Sequence, residues 1–405
     1  MVSKSKLIGS ALIIAGTCIG AGMLVIPLIT AAVGFSIACL LLLLVCLLMM
    51  TSAFLIAEVN LNYPSGTHFS NMAKRSLGRW AQVVTWICFL GLLYSLTAAY
   101  TSQASTLLGL WLGYMGIYTP SWLNGLFYIF VLGTFVYTGI SAVDSLNKFL
   151  MSFKGLAFLG LAIVLMPHIT AENITRGAAD YGFIWVTFPL LITSFGYQHI
   201  IPNIRAYLDS DKRALRQAII LGSLIPLIVY LVWIVLTLGT IPLEGQYSFK
   251  YIANHGGSAT ELVEVYGNLF HSGWISVFAT AFTNVAVLTS FLGVTLGLFS
   301  FNQDSYRLTK EKAIHKIPVF IITFLPPFLF AVFYPDGFVM ALGYASIFVA
   351  IMLIFLPALM VWKIRSEKGI NTFRSKCILS SIALIGLIII GLQFATDAHR
   401  LPIFH

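Results

Sequence analysis

Long apolar runs recur along this chain, separated by short polar stretches. Their lengths, about 20 residues, are what a helix needs to cross the hydrocarbon core of a bilayer. The pattern predicts eleven spans, at about 7–31, 34–60, 80–111, 122–140, 149–166, 183–204, 214–240, 270–301, 316–334, 337–362 and 376–395. Turn chemistry separates several of them: Tyr63-Pro64-Ser65-Gly66, Thr119-Pro120-Ser121, Asp209-Ser210-Asp211 and Tyr334-Pro335-Asp336-Gly337. The third run is too long for a straight span and reads as tilted or extending beyond the membrane. The polar segment 241–269 has room for a short surface helix. No gap holds a soluble domain, so residues 1–405 read as one all-α integral membrane domain. The period-two alternation of a membrane barrel is absent.

Composition agrees, with 59% apolar residues, 9% charged residues and a mean hydropathy of +0.93; soluble domains carry about 25% charge. The net charge of +9 does not indicate nucleic acid, because the cations sit in short connections between apolar runs. If the N-terminus is cytoplasmic, twenty of the 23 Lys and Arg residues fall on the cytoplasmic side. They include Lys4, Lys6, Lys74, Arg75, Arg79, Lys148, Lys154, Arg205, Lys212, Arg213 and Arg216, then Arg307, Lys310, Lys312 and Lys316, and a last group from Lys363 to Lys376. Arg176, Lys250 and Arg400 fall opposite. That bias predicts a cytoplasmic N-terminus and a C-terminus on the other side. Cys18, Cys39, Cys46, Cys88 and Cys377 lie in or beside apolar runs without disulfide or metal-ligand spacing. The first run has no cleavage site after a short apolar core and reads as a retained helix. The expected partners are the bilayer and a small molecule, with no metal, cofactor or obligate protein partner.

Two spans are broken from within. Span one carries Gly16-Thr17-Cys18-Ile19-Gly20-Ala21-Gly22, with Pro27 beyond; span six carries Thr193-Ser194-Phe195-Gly196-Tyr197-Gln198-His199, with Pro202 beyond. Glycine and proline weaken a helix by about 1 and 3 kcal/mol, and in lipid a non-helical stretch survives only inside protein or along a cavity. Each span opens a set of five, and five is odd, so the second set (about 183–362) runs inverted to the first (about 7–166), leaving 376–395 as an extra helix. Interrupted helices at matching places in inverted halves point to a secondary transporter's central site. The glycines there let N–H groups approach a carboxylate, and the carbonyls suit an ammonium or a cation. Gly16-xxx-Gly20 alone would also serve as a helix-packing motif. A dinucleotide loop at Gly20-Ala21-Gly22 lacks the preceding strand.

The candidate substrate site therefore comprises Thr17, Cys18, Ile19, Gly20, Ala21 and Gly22, with Ser194, Phe195, Gly196, Tyr197 and Gln198. Phe195 and Tyr197 are expected to wall an aromatic pocket or to pack as ordinary core. In span three, Tyr94, Thr97, Ala98 and Thr101 form a stripe that either meets substrate or holds helices together. Lys154 lies well inside span five, where an ammonium either faces a cavity or snorkels to the interface. Glu58 either relays protons or pairs with a loop cation. Of the eight histidines, His199 stands out by its place. The convergent acids, histidines and cysteines of a membrane enzyme are missing, and so is anything like a channel filter.

The blocks "GTCIGAGMLVIPL", "LGRWAQ", "YSLTAAYTS", "TSFGYQHIIPNI", "TSFLGVTLGLF" and "FLPPFLFAVFYPDGFVMALGYA" resemble the bacterial hydroxy and aromatic amino-acid permease family over essentially the whole chain. The resemblance is strongest to its tyrosine-transporting branch. It implies the 5+5 inverted-repeat fold of the amino acid–polyamine–organocation superfamily, also seen in LeuT. It further implies uptake of an amino acid across the bacterial cytoplasmic membrane, driven by a cation gradient, typically protons. Tryptophan, serine or threonine as substrate, or sodium as the coupling ion, are the alternatives within that resemblance. In some proton-coupled superfamily relatives a span-five lysine stands where sodium-coupled members bind their ion. The resemblance thus puts Lys154 at the coupling site, with Thr289, Ser290, Gly16 and Ile19 around it. It departs in span six, where the branch's Phe-Gly-Phe-His-Gly is here Phe195-Gly196-Tyr197-Gln198-His199.

Overall fold

The computed structural model describes residues 3–65, 67–305 and 316–398, which are helical throughout apart from turns and loops. The expected cytoplasmic cations Arg307, Lys310 and Lys312, and Arg400 opposite, lie outside the described residues. The helices are α1 (Lys4–Cys18), α2 (Gly22–Thr30), α3 (Phe35–Leu61), α4 (Phe69–Leu77), α5 (Arg79–Tyr114), α6 (Ser121–Thr138), α7 (Ile140–Leu165), α8 (Ala171–Thr175) and α9 (Phe183–Thr193). They continue with α10 (Ile201–Tyr207), α11 (Lys212–Thr240), α12 (Phe249–Asn254), α13 (Ala259–Phe270), α14 (Gly273–Ser305), α15 (Lys316–Phe333), α16 (Phe338–Val349), α17 (Leu356–Glu367) and α18 (Phe373–Asp397). Among the described residues nine helices are long and apolar enough to span a membrane, and α1 with α2, bent by 57°, make a tenth. The eleventh expected span corresponds to α15, whose apolar stretch Ile317–Phe333 is short for a span.

Most boundaries follow the hydrophobic pattern, and three departures have physical causes. Helix α7 begins at Ile140, well before the expected 149, because Gly139 (φ +118°) makes the turn from α6 in one residue. Asp144 and Lys148, which read as a polar connection, instead pair along the helix at 2.6 Å. Helix α5 is 36 residues long, about 54 Å at 1.5 Å per residue, and so outruns a bilayer core. Between α16 and α17 the chain stays helical but widens into a π turn over Ala350–Phe355. Pro357 has no N–H for the carbonyl of Leu353, and the Ser52 hydroxyl of α3 donates to that carbonyl instead.

Polar ties join helix ends at the face that carries the N-terminus. Glu58 takes a two-point hydrogen bond from Arg365 (2.7 and 2.6 Å), while Arg365 also donates to Ser375 at 2.7 Å. Of the two readings of Glu58, the pairing is the one realised. Arg205, expected as an ordinary loop cation, is buried and donates to the carbonyls of Asn60 and Tyr63 and to Asn60 Oδ1. Lys6 and Asp209 pair at 2.8 Å.

Helix α1 lies so close to α11 that a Cβ on Gly222 would stand 2.6 Å from Ile14 Cβ and 3.1 Å from the Ala11 carbonyl oxygen. Backbone cannot yield there as a side-chain tip can. Gly222→Ala is therefore expected to destabilise the protein by about 1–3 kcal/mol, read as a lower Tm in detergent. An unchanged Tm would mean that α1 and α11 are not held at this distance.

Candidate functional site

Helix α1 ends at Cys18 and α2 begins at Gly22, so Ile19, Gly20 and Ala21 lie outside the regular ladder. Side chains from elsewhere take the backbone groups this releases. The Ala21 N–H donates to Ser290 Oγ at 2.7 Å. The Ile19 carbonyl accepts from Lys154 Nζ at 2.8 Å, and the Cys18 carbonyl from Tyr230 Oη at 2.7 Å. Pro27 leaves the Met23 carbonyl without its helical donor, and Trp233 Nε1 supplies one at 3.1 Å. Ser290, Lys154, Tyr230 and Trp233 all belong to α14, α7 and α11, the long helices packed around the break.

The second interruption runs from Ser194 to Tyr197, followed by a tight turn over Gln198–Ile200 into α10. Its Ser194 carbonyl lies 2.8 Å from the same Tyr230 hydroxyl, so one side chain bridges both breaks. Ser194 Oγ also donates to the Gly22 carbonyl at 3.3 Å. The two interruptions, far apart in sequence, are thus stitched into one locus.

A cavity of about 610 Å³ opens beside them. Gly16, Thr17, Cys18, Ile19, Gly20, Gly22, Ser194, Gly196, Lys154, Thr289 and Ser290, all anticipated, line it. Lys154 is 5% exposed, which rules out snorkelling, and its ammonium also reaches Thr289 Oγ1 at 3.3 Å. Gly22 opens α2, and the N–H groups that open a helix have no acceptor within it. They suit a carboxylate, while the carbonyls and hydroxyls of Thr193 and Ser194 suit an ammonium. The rest of the wall is mainly apolar.

The other anticipated residues do not line the cavity. Ala21 engages Ser290 through its backbone. Phe195 packs edge-on against Tyr230 with centroids 5.1 Å apart. The Tyr197 hydroxyl pairs with Ser223 Oγ at 2.6 Å, and Gln198 Nε2 donates to the carbonyls of Met49 (2.9 Å) and Phe195 (3.0 Å). All three side chains are turned into the scaffold, so the expected aromatic wall from span six is replaced by core packing. On α5 the hydroxyls of Thr97 and Thr101 are spent on carbonyls one turn back, at 2.7 Å each. Tyr94 donates across to the Ile322 carbonyl at 2.8 Å, and Ala98 is buried off the cavity wall. This stripe joins helices. The stripe that faces the cavity is the apolar one offset from it: Phe89, Leu92, Leu93, Leu96 and Tyr100. Its i, i+3, i+4, i+7, i+11 spacing is visible in the sequence, but a preference for polar residues passes over it. Asn147, Met151, Gly293, Val294, Gly297 and Ile200 also line the cavity and were missed, whereas His199 lines it as its place suggested.

Toward the N-terminal face the cavity continues along Leu12, Ile13, Asn147 and Phe89. Toward the opposite face α13 sits over the bundle. Gln103 of α5 donates to Thr260 Oγ1 at 2.9 Å and accepts from the Ala259 N–H at 3.1 Å, and Thr106 pairs with Thr260 at 2.8 Å. Ser258 and Glu261 form a capping box there, and burial pushes the Glu261 carboxyl upward.

A bundle of apolar helices with a cavity where two interrupted helices meet is the architecture a membrane transporter needs. The chain belongs to the tryptophan/tyrosine permease family, whose sequence profile matches residues 3–396. It is 34% identical to the tryptophan-specific transport protein of Pseudomonas aeruginosa (strain UCBPP-PA14), over 92% of this chain and 89% of that one. It is 33% identical to tyrosine-specific transport system 2 of Haemophilus influenzae, over 99% of each. Glutamine transporter 2 of Aliivibrio fischeri is 32% identical over 90% of each chain. The crystal structure of MhsT in complex with L-phenylalanine shares the fold with a TM-score of 0.62 at 14% identity, covering 97% of this chain and 98% of that one. The relatives are transport proteins, not enzymes.

A Cβ on Gly20 would stand 2.5 Å from Ser290 Oγ. Gly20→Ala is expected to push Ser290 off the Ala21 N–H and cost about 1–3 kcal/mol in Tm-derived stability. In a Ser290→Ala background the same change should cost much less. Full additivity of the two substitutions would show that they do not act through this contact. Tyr230→Phe should cost a similar 1–3 kcal/mol; no loss would remove the bridge between the breaks.

Proposed function

We propose that the protein is a secondary transporter that imports an aromatic amino acid, with tyrosine preferred, by proton symport and alternating access. The observation that carries this reading is Lys154, whose buried ammonium holds the Ile19 carbonyl at the break beside an amino-acid-sized cavity. In the mechanism, the substrate carboxylate meets the N–H of Gly22 where α2 opens, and its ammonium meets the oxygens of Thr193 and Ser194. The aromatic ring lies against Phe89, Leu92, Leu93, Leu96 and Tyr100. A largely apolar wall suits tyrosine or tryptophan better than glutamine, which needs partners for its amide. A protonated Lys154 ties α7 to the break, and loss of its proton weakens that tie.

Sodium coupling is the second reading, favoured by Thr289 Oγ1 and the Ile19 carbonyl as hard oxygen ligands. Against it, the ammonium already occupies those oxygens. Within the proton-coupled reading the chain crosses a bacterial cytoplasmic membrane eleven times, α15 included, as inverted repeats 7–166 and 183–362 plus α18. The N-terminus is cytoplasmic, in keeping with the cation bias. A cavity whose lining continues toward the N-terminal face, through Leu12 and Ile13 of α1, supports an inward-facing state.

Purified protein in proteoliposomes tests this. An imposed inward proton gradient is expected to drive tyrosine accumulation, with a protonophore abolishing it and choline in place of sodium leaving it unchanged. Lys154→Ala is expected to remove accumulation while leaving binding detectable. Unlabelled tryptophan should compete with tyrosine, and serine, threonine and glutamine should not. Accumulation that follows external sodium and survives protonophore at clamped voltage would overturn the proton reading. Competition by glutamine and by no aromatic acid would overturn the substrate.

A further inference from the structure

A second cavity, of about 370 Å³, lies at the N-terminal face between the end of α3, the start of α11 and the end of α17. Its floor is apolar, made by Phe54, Leu61, Leu215, Ile219 and Ile364, and its rim carries Lys212, Arg216 and Lys368. Glu58 also lines it, but Arg365 already compensates that carboxylate through two hydrogen bonds. Lys368 donates to Asn62 Oδ1, which leaves further donors on its ammonium. Neither Lys212 nor Arg216 has an ion pair among the described residues, and the nearby Asp211 is turned to the backbone N–H groups of Arg213 and Ala214 (2.8 and 3.1 Å). The cavity is therefore a cationic mouth over an apolar base.

The α3 wall of this cavity extends well beyond it. Leu40, Leu43, Leu44 and Leu47 are 44–54% exposed on α3, and helical spacing carries that face through Thr51 to Phe54, Glu58 and Leu61. The one hydroxyl on the path, Thr51, donates to the Leu47 carbonyl at 2.7 Å and presents no unmet polar group. On the adjoining α11, Leu221, Leu224 and Ile228 are likewise exposed. An apolar track thus leads from the cationic mouth along the span, at the face where the sequence gathers its cations. A soluble anion would use the mouth and ignore the track; a phospholipid uses both.

We propose that this cavity binds the phosphate headgroup of an anionic phospholipid, with its acyl chains along the exposed faces of α3 and α11. Basic pockets between helix ends at this depth suit such headgroups, and the cations act additively on them. The site is separate from the transport cavity and does not depend on the substrate or coupling ion.

Full-length protein in detergent, titrated with phosphatidylglycerol and read by native mass spectrometry, provides the test. The wild type is expected to retain one phosphatidylglycerol in preference to phosphatidylcholine. Lys212→Gln and Arg216→Gln should each weaken retention about fivefold. Lys74→Gln and Arg75→Gln, equal charge changes on exposed residues of α4, serve as controls and should leave retention unchanged. Glycerol 3-phosphate at millimolar concentration should not displace the lipid. Equal loss in the α4 controls would reduce the effect to a diffuse field, and equal retention of phosphatidylcholine would remove headgroup recognition. Displacement by glycerol 3-phosphate would make this a soluble-anion site, and each of these three results overturns the proposal. A matched elution profile for every variant separates lost binding from lost folding.

Discussion

A backbone group that a helix gives up inside an apolar slab must be taken by something else, because no water is there to take it. An orphaned buried donor or acceptor costs about 1–3 kcal/mol, and two interrupted helices release several at once. Around the cavity most of the observed rescues come from long neighbouring helices, with Ser194 Oγ of the second break serving the Gly22 carbonyl. Tyr230 of α11 meets the carbonyls of Cys18 and Ser194, Lys154 of α7 meets Ile19, and Ser290 of α14 meets the Ala21 N–H. Two of the prolines obey the same rule at a distance of four residues. Pro27 orphans the Met23 carbonyl and Trp233 adopts it; Pro357 orphans the Leu353 carbonyl and Ser52 adopts it. The breaks are therefore held in place by α3, α7, α11 and α14 and do not stand as local defects.

This constraint explains which parts of the site were legible in the sequence. Interrupted spans announce themselves, since glycine and proline inside apolar runs need a reason, and Gly20, Gly22, Ser194 and Gly196 do line the cavity. Lys154 was legible for the same reason, as a charge where lipid would not tolerate one. Among the described residues nine of the eleven expected spans are helices long and apolar enough to cross a membrane, the bent α1–α2 pair makes a tenth, and α15 is short for a span. The start of α7 was misplaced because an Asp144–Lys148 pair on a helix surface looks like a loop in composition. The π turn at Ala350–Phe355 left no trace beyond Pro357.

Side-chain direction was not legible where the chain leaves the helix. Phe195, Tyr197 and Gln198 sit at the right depth, yet all three turn toward α3 and α11. Periodicity cannot orient residues in a non-helical stretch, and His199, one position further, faces the cavity. On α5 the ambiguity was different in kind. The polar stripe was left open between substrate contact and helix packing, and a threonine in a dry helix can satisfy itself on the carbonyl one turn back, as Thr97 and Thr101 do. Such a residue is free to face packed helices, and the cavity wall falls to the apolar stripe beside it.

The ties at the breaks are unequal in a way that bears on coupling. Tyr230 has one proton for two carbonyls at 2.7 and 2.8 Å, so it links the interruptions whatever the pH. Ser290 accepts one N–H and changes nothing on protonation. Lys154 alone among these partners can gain or lose a proton and keep its place. As an ammonium it is donor only, and it serves both Ile19 and Thr289. As an amine it donates less strongly, and the Ile19 carbonyl is then the least well satisfied group in the break. The response, on the proton-coupled reading, is movement of α1 relative to α7, since the Tyr230 bridge keeps the two interruptions together. On the proton-coupled reading, the proton is thus sensed by the same backbone that receives the substrate carboxylate.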